Sequence, residues 1–374
     1  MRAWMVFLGM IPACGFQSPA SSSDANTDAP PDAPATQFGS IIHVKFSSPS
    51  DVPMTPPTLI ADVNTDTSTL CDTHNDQAAT YCVIVGTRIT IASGMTLRAH
   101  GTKPLVLLAT DTFDLEGSID VSSKHGDPKS GSGAKSPGPC LGTTAAMGHS
   151  GGYGGSFGGM GGPGGTPVST TDEAGGVPGP GLNGSSPADL RGGCFGGDGA
   201  GNPPPDGAGG SGGGAVAIIA VTSIHLNGQI NASGAGGLGG TGNSGGGGGG
   251  GGGSGGMIVL DAPLIDAGAG PNVWLFANGG GGGQGGTPVG GPGAGPGDGG
   301  MESSNPTTQA PGGANTGRSG GNGGNGTAGT SKQDGDPAAA AAYNGDGGGG
   351  GGGAGFIRSP AVTGAVFAPA PTSP

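Results

Sequence analysis

The sequence predicts an all-β chain: a short parallel β-helix or related β-solenoid whose glycine-rich segments leave one corner as long loops. Two observations carry this expectation. First, "ATDTFDLEGSIDVSS" at 109–123 and "AVTSIHLNGQINASG" at 220–234 match at seven apolar, glycine or serine positions with identical spacing. Second, each such unit is preceded by a continuous apolar strand, "PLVLLA" at 104–109 and "GAVAIIA" at 214–220, and is followed by a glycine-rich tract. Short strands separated by turns and repeated at intervals mark a fold whose units must stack to bury their apolar faces.

From the amino terminus, "MRAWMVFLGMIPACGF" places one basic residue before an apolar run that is too short to span a bilayer and suits a signal-peptide core. The stretch "IPAC" resembles the lipobox of bacterial lipoproteins. It implies cleavage after residue 13 and lipidation of Cys14, although Pro12 departs from the usual small or apolar residue there. A tether rich in Pro, Ser, Asp and Ala, assigned to 14–38, follows.

Four cysteines remain, an even number in a chain expected to leave the reducing cytoplasm, and three connectivities are open to them. Cys71 with Cys82 is favoured, because "CDTHNDQAATYC" is a polar loop closing onto the strand "YCVIV". Cys140 with Cys194 then follows. The spacings fit no zinc pattern.

The repeated units divide the rest. An amino-terminal β region and leading coil covers 39–103, with "RITIASGMTLRAHG" as its repeat. Coils follow at 104–122, 214–233 and 256–278, separated by glycine-rich loops at 123–213, 234–255 and 279–353, and 354–374 holds terminal strands and a tail. Stacking these units pairs Leu115 with Leu226 and Ile230 with Leu275. It places Asp114 beside His225, Glu116 beside Asn227 and Asp120 beside Asn231 on the outer surface.

Glycine numbers 94 of 374 residues, which limits the apolar core to the strands. "GGYGGSFGGMGGPGGT" at 151–166 and "SGGNGGN" at 319–325 repeat every three residues, the period of the polyproline II helix. These segments resemble the packed glycine-rich helices of Obg-type GTPases, some insect antifreeze proteins and certain phage adhesins. Backbone ordering costs about 1–2 kcal/mol per residue, and Cα–H to carbonyl contacts return about 0.5–1 kcal/mol each. The comparison leaves a packed polyproline II-type bundle open and favours mobile, solvated loops.

Net charge is −13 with no basic cluster, so a nucleic acid partner is not expected. G-x-G-x-x-G matches occur at the frequency that this glycine content dictates and open no helix. "SGSGAKS" at 130–136 has Ala134 where a P-loop needs glycine, so no nucleotide site is expected. Asp198 and Asp206, in and just after "GGDGAGN", are the carboxylates that calcium would use, with polar loop residues as the simpler reading. Asp114, His225 and Glu116 are the acid/base candidates of the strand face. Outward Asp and Asn on stacked strands more commonly satisfy one another. Trp274 and Phe276, outward by alternation about Leu275, are the candidate ligand-binding aromatics. No cofactor is implied.

"GMTLRAHGTKPLVLLA", "GSIDVSS" and "RGGCFGG", together with the exported cysteine and "GGGGGGSGGMIVL", resemble a group of glycine-rich surface lipoproteins of large-genome Gram-negative soil bacteria. The resemblance implies location and architecture and no mechanism. The expectation is a non-enzymatic lipoprotein anchored to the outer membrane by its lipid and exposed at the surface. Its role would be adhesive or structural in the envelope or matrix, with extracellular polysaccharide or other surface proteins as partners. The alternative is a β-helix protein that binds or cleaves polysaccharide. A weaker alternative is an ice- or mineral-facing surface made by a polyglycine bundle.

Overall fold

The computed structural model describes residues 36–372 apart from 49, 51, 53–60, 135–139, 141–142, 169–172, 183–184, 186, 202–205, 243–245, 269–272 and 361–364. Cys14, the expected signal peptide and nearly all of the tether lie outside the described residues. The last residues assigned to the tether do not belong to it. β1 (Thr36–Phe38) pairs antiparallel with β2 (Val44–Phe46), and Phe38 meets Phe46 edge to face at 6.0 Å.

Two parallel sheets carry the fold, with no helix among the described residues. The six-stranded sheet contains β3 (Asp62–Asn64), β5 (Thr96–His100), β7 (Ser118–Asp120), β10 (Gln229–Asn231), β13 (Trp274–Phe276) and β15 (Val366–Ala368). The seven-stranded sheet contains β4 (Cys82–Ile91), β6 (Leu105–Leu115), β8 (Ala215–Ala220), β9 (Ser223–Leu226), β11 (Met257–Asp261), β12 (Leu264–Ala267) and β14 (Phe356–Arg358). Side-chain pattern explains the layering. β6 through Ala109 and β8 are apolar without interruption because both faces are covered. Leu105, Leu107, Val216 and Ile218 point between the sheets. Val106, Leu108, Ala217 and Ile219 point the other way, onto Ile42, Val44 and Phe46 of the amino-terminal hairpin, Phe157 and Phe356. Where the sequence alternates, as in "SIHL", Ile224 and Leu226 point between the sheets and His225, on the other face, is only half-buried.

The strands align in parallel as the repeats suggest. Leu115 is opposite Leu226, Asp114 opposite His225, and Ile119, Ile230 and Leu275 stand in one row. The expected β-helix is nevertheless overturned. A solenoid closes each coil with a turn from its last strand to the next. Here only β5 passes to β6 in that way, through residues 101–104. Chain leaving β7, β10 and β13 does not return by a turn, and β6 is one eleven-residue strand that pairs with both β8 and β9. The result is two facing parallel sheets, with the glycine tracts as a third, ordered layer.

That layer also corrects the expectation of mobile loops. Residues 246–256 run straight into β11, and every third residue faces the same neighbour. Gly248, Gly251 and Ser254 donate backbone N–H groups to Ala200, Gly197 and Cys194. Gly249, Gly252 and Gly255 donate to Gly347, Gly350 and Gly353, and Gly250, Gly253 and Gly256 donate to Leu238, Ala235 and Ala232. Carbonyls of the same segment accept from Gly152 and Gly155, from Gly207, Gly210 and Gly213, and from Gly280, Gly283 and Gly286. Three residues per turn with all hydrogen bonds made outside the segment is polyproline II packing. The segment is therefore enclosed on all sides by other backbones.

This geometry accounts for the two kinds of glycine tract. A Cβ built on Gly250, Gly251 or Gly252 would stand 2.1, 1.8 or 2.1 Å from the carbonyl oxygen of Ala208, Tyr153 or Gly280, so these positions accept no side chain, whereas Ser254 in the same segment carries a buried hydroxyl bonded to the backbone of Cys194. The outlying tract 151–166 has one free side, and its period-three residues Met160, Pro163 and Thr166 are exposed there. Weak Cα–H contacts alone do not offset the entropy of ordering such a tract. The decisive term is a full N–H to carbonyl bond per residue to distant segments, which satisfies backbone groups that burial would otherwise leave unpaired.

Candidate functional site

Two surfaces hold the residues that could act on another molecule. The first is the outer face of the seven-stranded sheet, where the register forms a row Thr90, Asp114, His225, Asp266 and beside it a row Arg88, Thr112, Ser223, Leu264. Asp114 and His225 are adjacent, but each has another partner. Arg88 Nε lies 2.7 Å from Asp114 Oδ2. His225 Nδ1 lies 3.7 Å from Asp266 Oδ2, and its Nε2 lies 3.1 Å from Ser223 Oγ. Sequence reasoning missed Arg88, Ser223 and Asp266. The signal for Arg88 was present in "RITIAS", which stacks beneath "TFDLEG", and Asp266 sits in the stretched middle of the third unit. Ser223 is buried, so its hydroxyl, held by His225, is shielded from an incoming group.

The second surface crosses the six-stranded sheet. Thr96, Ser118, Gln229 and Trp274 form one outward row, with Thr96 and Ser118 hydroxyls 2.8 Å apart. Beside this row the turns that join the two sheets line a cleft of about 390 Å³ containing Met95, Glu116, Ser118, Asn227 and Gln229. These turns need glycine. A Cβ on Gly117 would stand 2.3 Å from Met95 O, and one on Gly228 would stand 1.9 Å from Gly117 O. Exposed Glu116 lies at the cleft, away from the ion pairs. Trp274 is half-buried with Leu275 inside, whereas Phe276 is buried and is withdrawn as a ligand-binding candidate. Asp120 is opposite Asn231, but engages Arg98 at 3.2 Å and Lys124 at 3.1 Å. Burial raises its pKa, and Ser122 and Lys124 together outweigh that effect and hold it below the ordinary carboxylate value.

The carboxylates considered for calcium have other partners. Asp198 Oδ1 accepts the Gly209 N–H at 2.8 Å, and Asp206 accepts both the N–H and the hydroxyl of Thr241. Among the described residues no three His, Cys, Asp or Glu side chains are grouped to hold a metal ion. Asp346, at the same end of the bundle as Asp206, is buried and accepts the Gly247 N–H at 2.7 Å. Burial pushes its pKa up to about 6, against the lowering effects of Gly247 and His149 and with further raising by Asp206 and Glu173.

Both disulfides are present, Cys71 with Cys82 and Cys140 with Cys194. The second bridge lines a small cleft of mixed character with Thr143, Tyr153, Ser156, Phe157, Leu182 and Phe195. Among the described residues no helix is long and apolar enough to cross a membrane. Comparison with known protein families, with curated proteins and with solved structures gives no match.

Proposed function

We propose that the protein is a non-enzymatic, lipid-anchored surface protein that acts as a stiff display body in adhesion or in envelope and matrix structure. The supporting observation is the enclosed segment 246–256. Its backbone groups are bonded to surrounding segments, and its one side chain, the buried Ser254 hydroxyl, is bonded to the backbone of Cys194, while larger side chains lie on the rim. Rim residues such as Met160, Phe195, Met301 and Tyr343 are exposed large side chains on this frame, suited to contact with another surface. Anchoring through Cys14 and export rest on the amino-terminal sequence. Protease shaving of intact cells, compared between the natural chain and Cys14→Ser, tests the reading. Release of bundle epitopes from intact cells, lost in the variant, is the expected result; an epitope protected until the envelope is broken would refute it.

A second reading, polysaccharide binding without cleavage, is favoured by the row Thr96, Ser118, Gln229 and Trp274. Hydroxyl, amide and indole groups recur there at the spacing of adjacent strands, about 4.8 Å, beside a polar cleft. Binding on a glycan array that is lost in Trp274→Ala would identify it.

A further inference from the structure

Arg191 is buried, with 9% of its surface exposed, and the described residues supply it with no carboxylate. Its Nε reaches only the Gly192 carbonyl at 3.4 Å. One terminal nitrogen instead lies 3.7 Å from Cys140 Sγ and 3.8 Å from Cys194 Sγ. The guanidinium is held there by stacking 5.0 Å over the Phe157 ring, which itself packs edge to face on Phe356. A buried cation without a counter-ion is costly, and here the groups beside it are two sulfurs that become anionic only when their bond opens. Access to them differs. Cys140 is half-buried and the bridge lines a cleft, whereas Cys194 is 2% exposed.

We propose that the Cys140–Cys194 bridge is a thiol-exchange site, at which a small thiolate attacks Cys140 Sγ and Arg191 receives the departing Cys194 thiolate. The attacking sulfur forms a new bond to Cys140 Sγ, the Cys140–Cys194 bond breaks, and its electron pair stays on Cys194 Sγ. The products are a mixed disulfide at Cys140 and one protein thiolate, with no net oxidation. Attack by Cys194 on the mixed disulfide reverses the step and restores the bridge. Leaving-group stabilisation speeds exchange because a thiol of lower pKa departs faster. The other bridge is an internal control, since it too joins a half-buried cysteine, Cys71, to a buried one, Cys82, but among the described residues no arginine contacts its sulfurs.

The test exposes the folded chain to reduced glutathione, traps thiols by alkylation and maps the modified peptides over time. Glutathione on Cys140 while Cys71–Cys82 remains closed is the expected pattern, with exchange slowed at least tenfold in Arg191→Met and partly restored in Arg191→Lys. Modification at Cys194 or Cys71 first, or equal rates in Arg191→Met, overturns the proposal. Should Arg191→Met fail to fold, thiolate absorbance of Cys140→Ser against Cys140→Ser/Cys194→Ser decides. The Cys194 inflection is expected well below the ordinary thiol value of about 8.5, and an inflection at or above it refutes the role of Arg191.

Discussion

The Gly247 amide donates to Asp346 Oδ2 at 2.7 Å, while His149 Nδ1, 3.6 Å from the other carboxylate oxygen, is buried with no hydrogen-bond partner among the described residues. The glycine bundle thus ends in a buried carboxyl whose one short bond comes from the backbone. Asp206 and Glu173 add negative charge nearby.

A pH dependence follows from that arrangement. The folded-state pKa of Asp346, about 6, exceeds its ordinary value of 3.8, so the folded chain binds the proton more tightly than the unfolded chain. Stability therefore rises as pH falls from 7 through 6 towards 4, the reverse of a salt-bridged carboxylate, and the ionised group costs about 2–3 kcal/mol at neutral pH. Asp346→Asn keeps an acceptor for Gly247 and sets an amide nitrogen beside His149 Nδ1. Urea unfolding at pH 7 and pH 5 should show the variant more stable at pH 7 and the difference shrinking at pH 5. A variant less stable than the natural chain at both values would refute this.

Gly251→Ala places a methyl group 1.8 Å from Tyr153 O, in a segment that has no slack on any side. A loss of at least about 3 kcal/mol is expected, as for severe overpacking. Met160→Ala, on the exposed rim of the same bundle, should stay within about 0.5 kcal/mol of the natural chain. Thermal unfolding of the two variants side by side measures the contrast, and similar melting points would mean that the bundle is not closely packed.

Asp261 ends β11 with a buried carboxylate that accepts the backbone N–H groups of Ser40 and Ile41 at 2.5 and 2.7 Å and the Ser40 hydroxyl at 2.8 Å. It fastens the amino-terminal hairpin over the outer face of the seven-stranded sheet. Asp261→Ala leaves those donors unpaired, at a cost of about 2–4 kcal/mol. Limited proteolysis should then cut within 36–46 before any site in the sheets. An unchanged cleavage pattern would show that apolar packing of Val44 and Phe46 suffices.

Much of the strand pairing was legible because side chains record it. Leu115 and Leu226, or Ile230 and Leu275, face a common interior, and a shift of one residue would turn each of them outward. The closed coils inferred from that pairing were wrong for a physical reason. Nothing in the run 245–253 indicates that Gly251 bonds to Gly197 and accepts from Gly210, since residues without side chains carry no mark of their partners. The candidate site was half legible. His225 and Trp274 could be placed by alternation, but Asp114 pairs with Arg88 of the neighbouring strand, a diagonal contact that register alone does not specify. Phe276 has the same alternation as Trp274 and is buried all the same, because what covers an outward position comes from elsewhere in the chain.

An interior made of main chain alone has no volume to exchange. In an ordinary core a lost methyl at one site can be offset by a larger neighbour, so sequences wander while the shape persists. Around Gly250, Gly251 and Gly252 that route is closed, and descendants of this chain could alter the bundle only by lengthening, shortening or deleting whole helical segments.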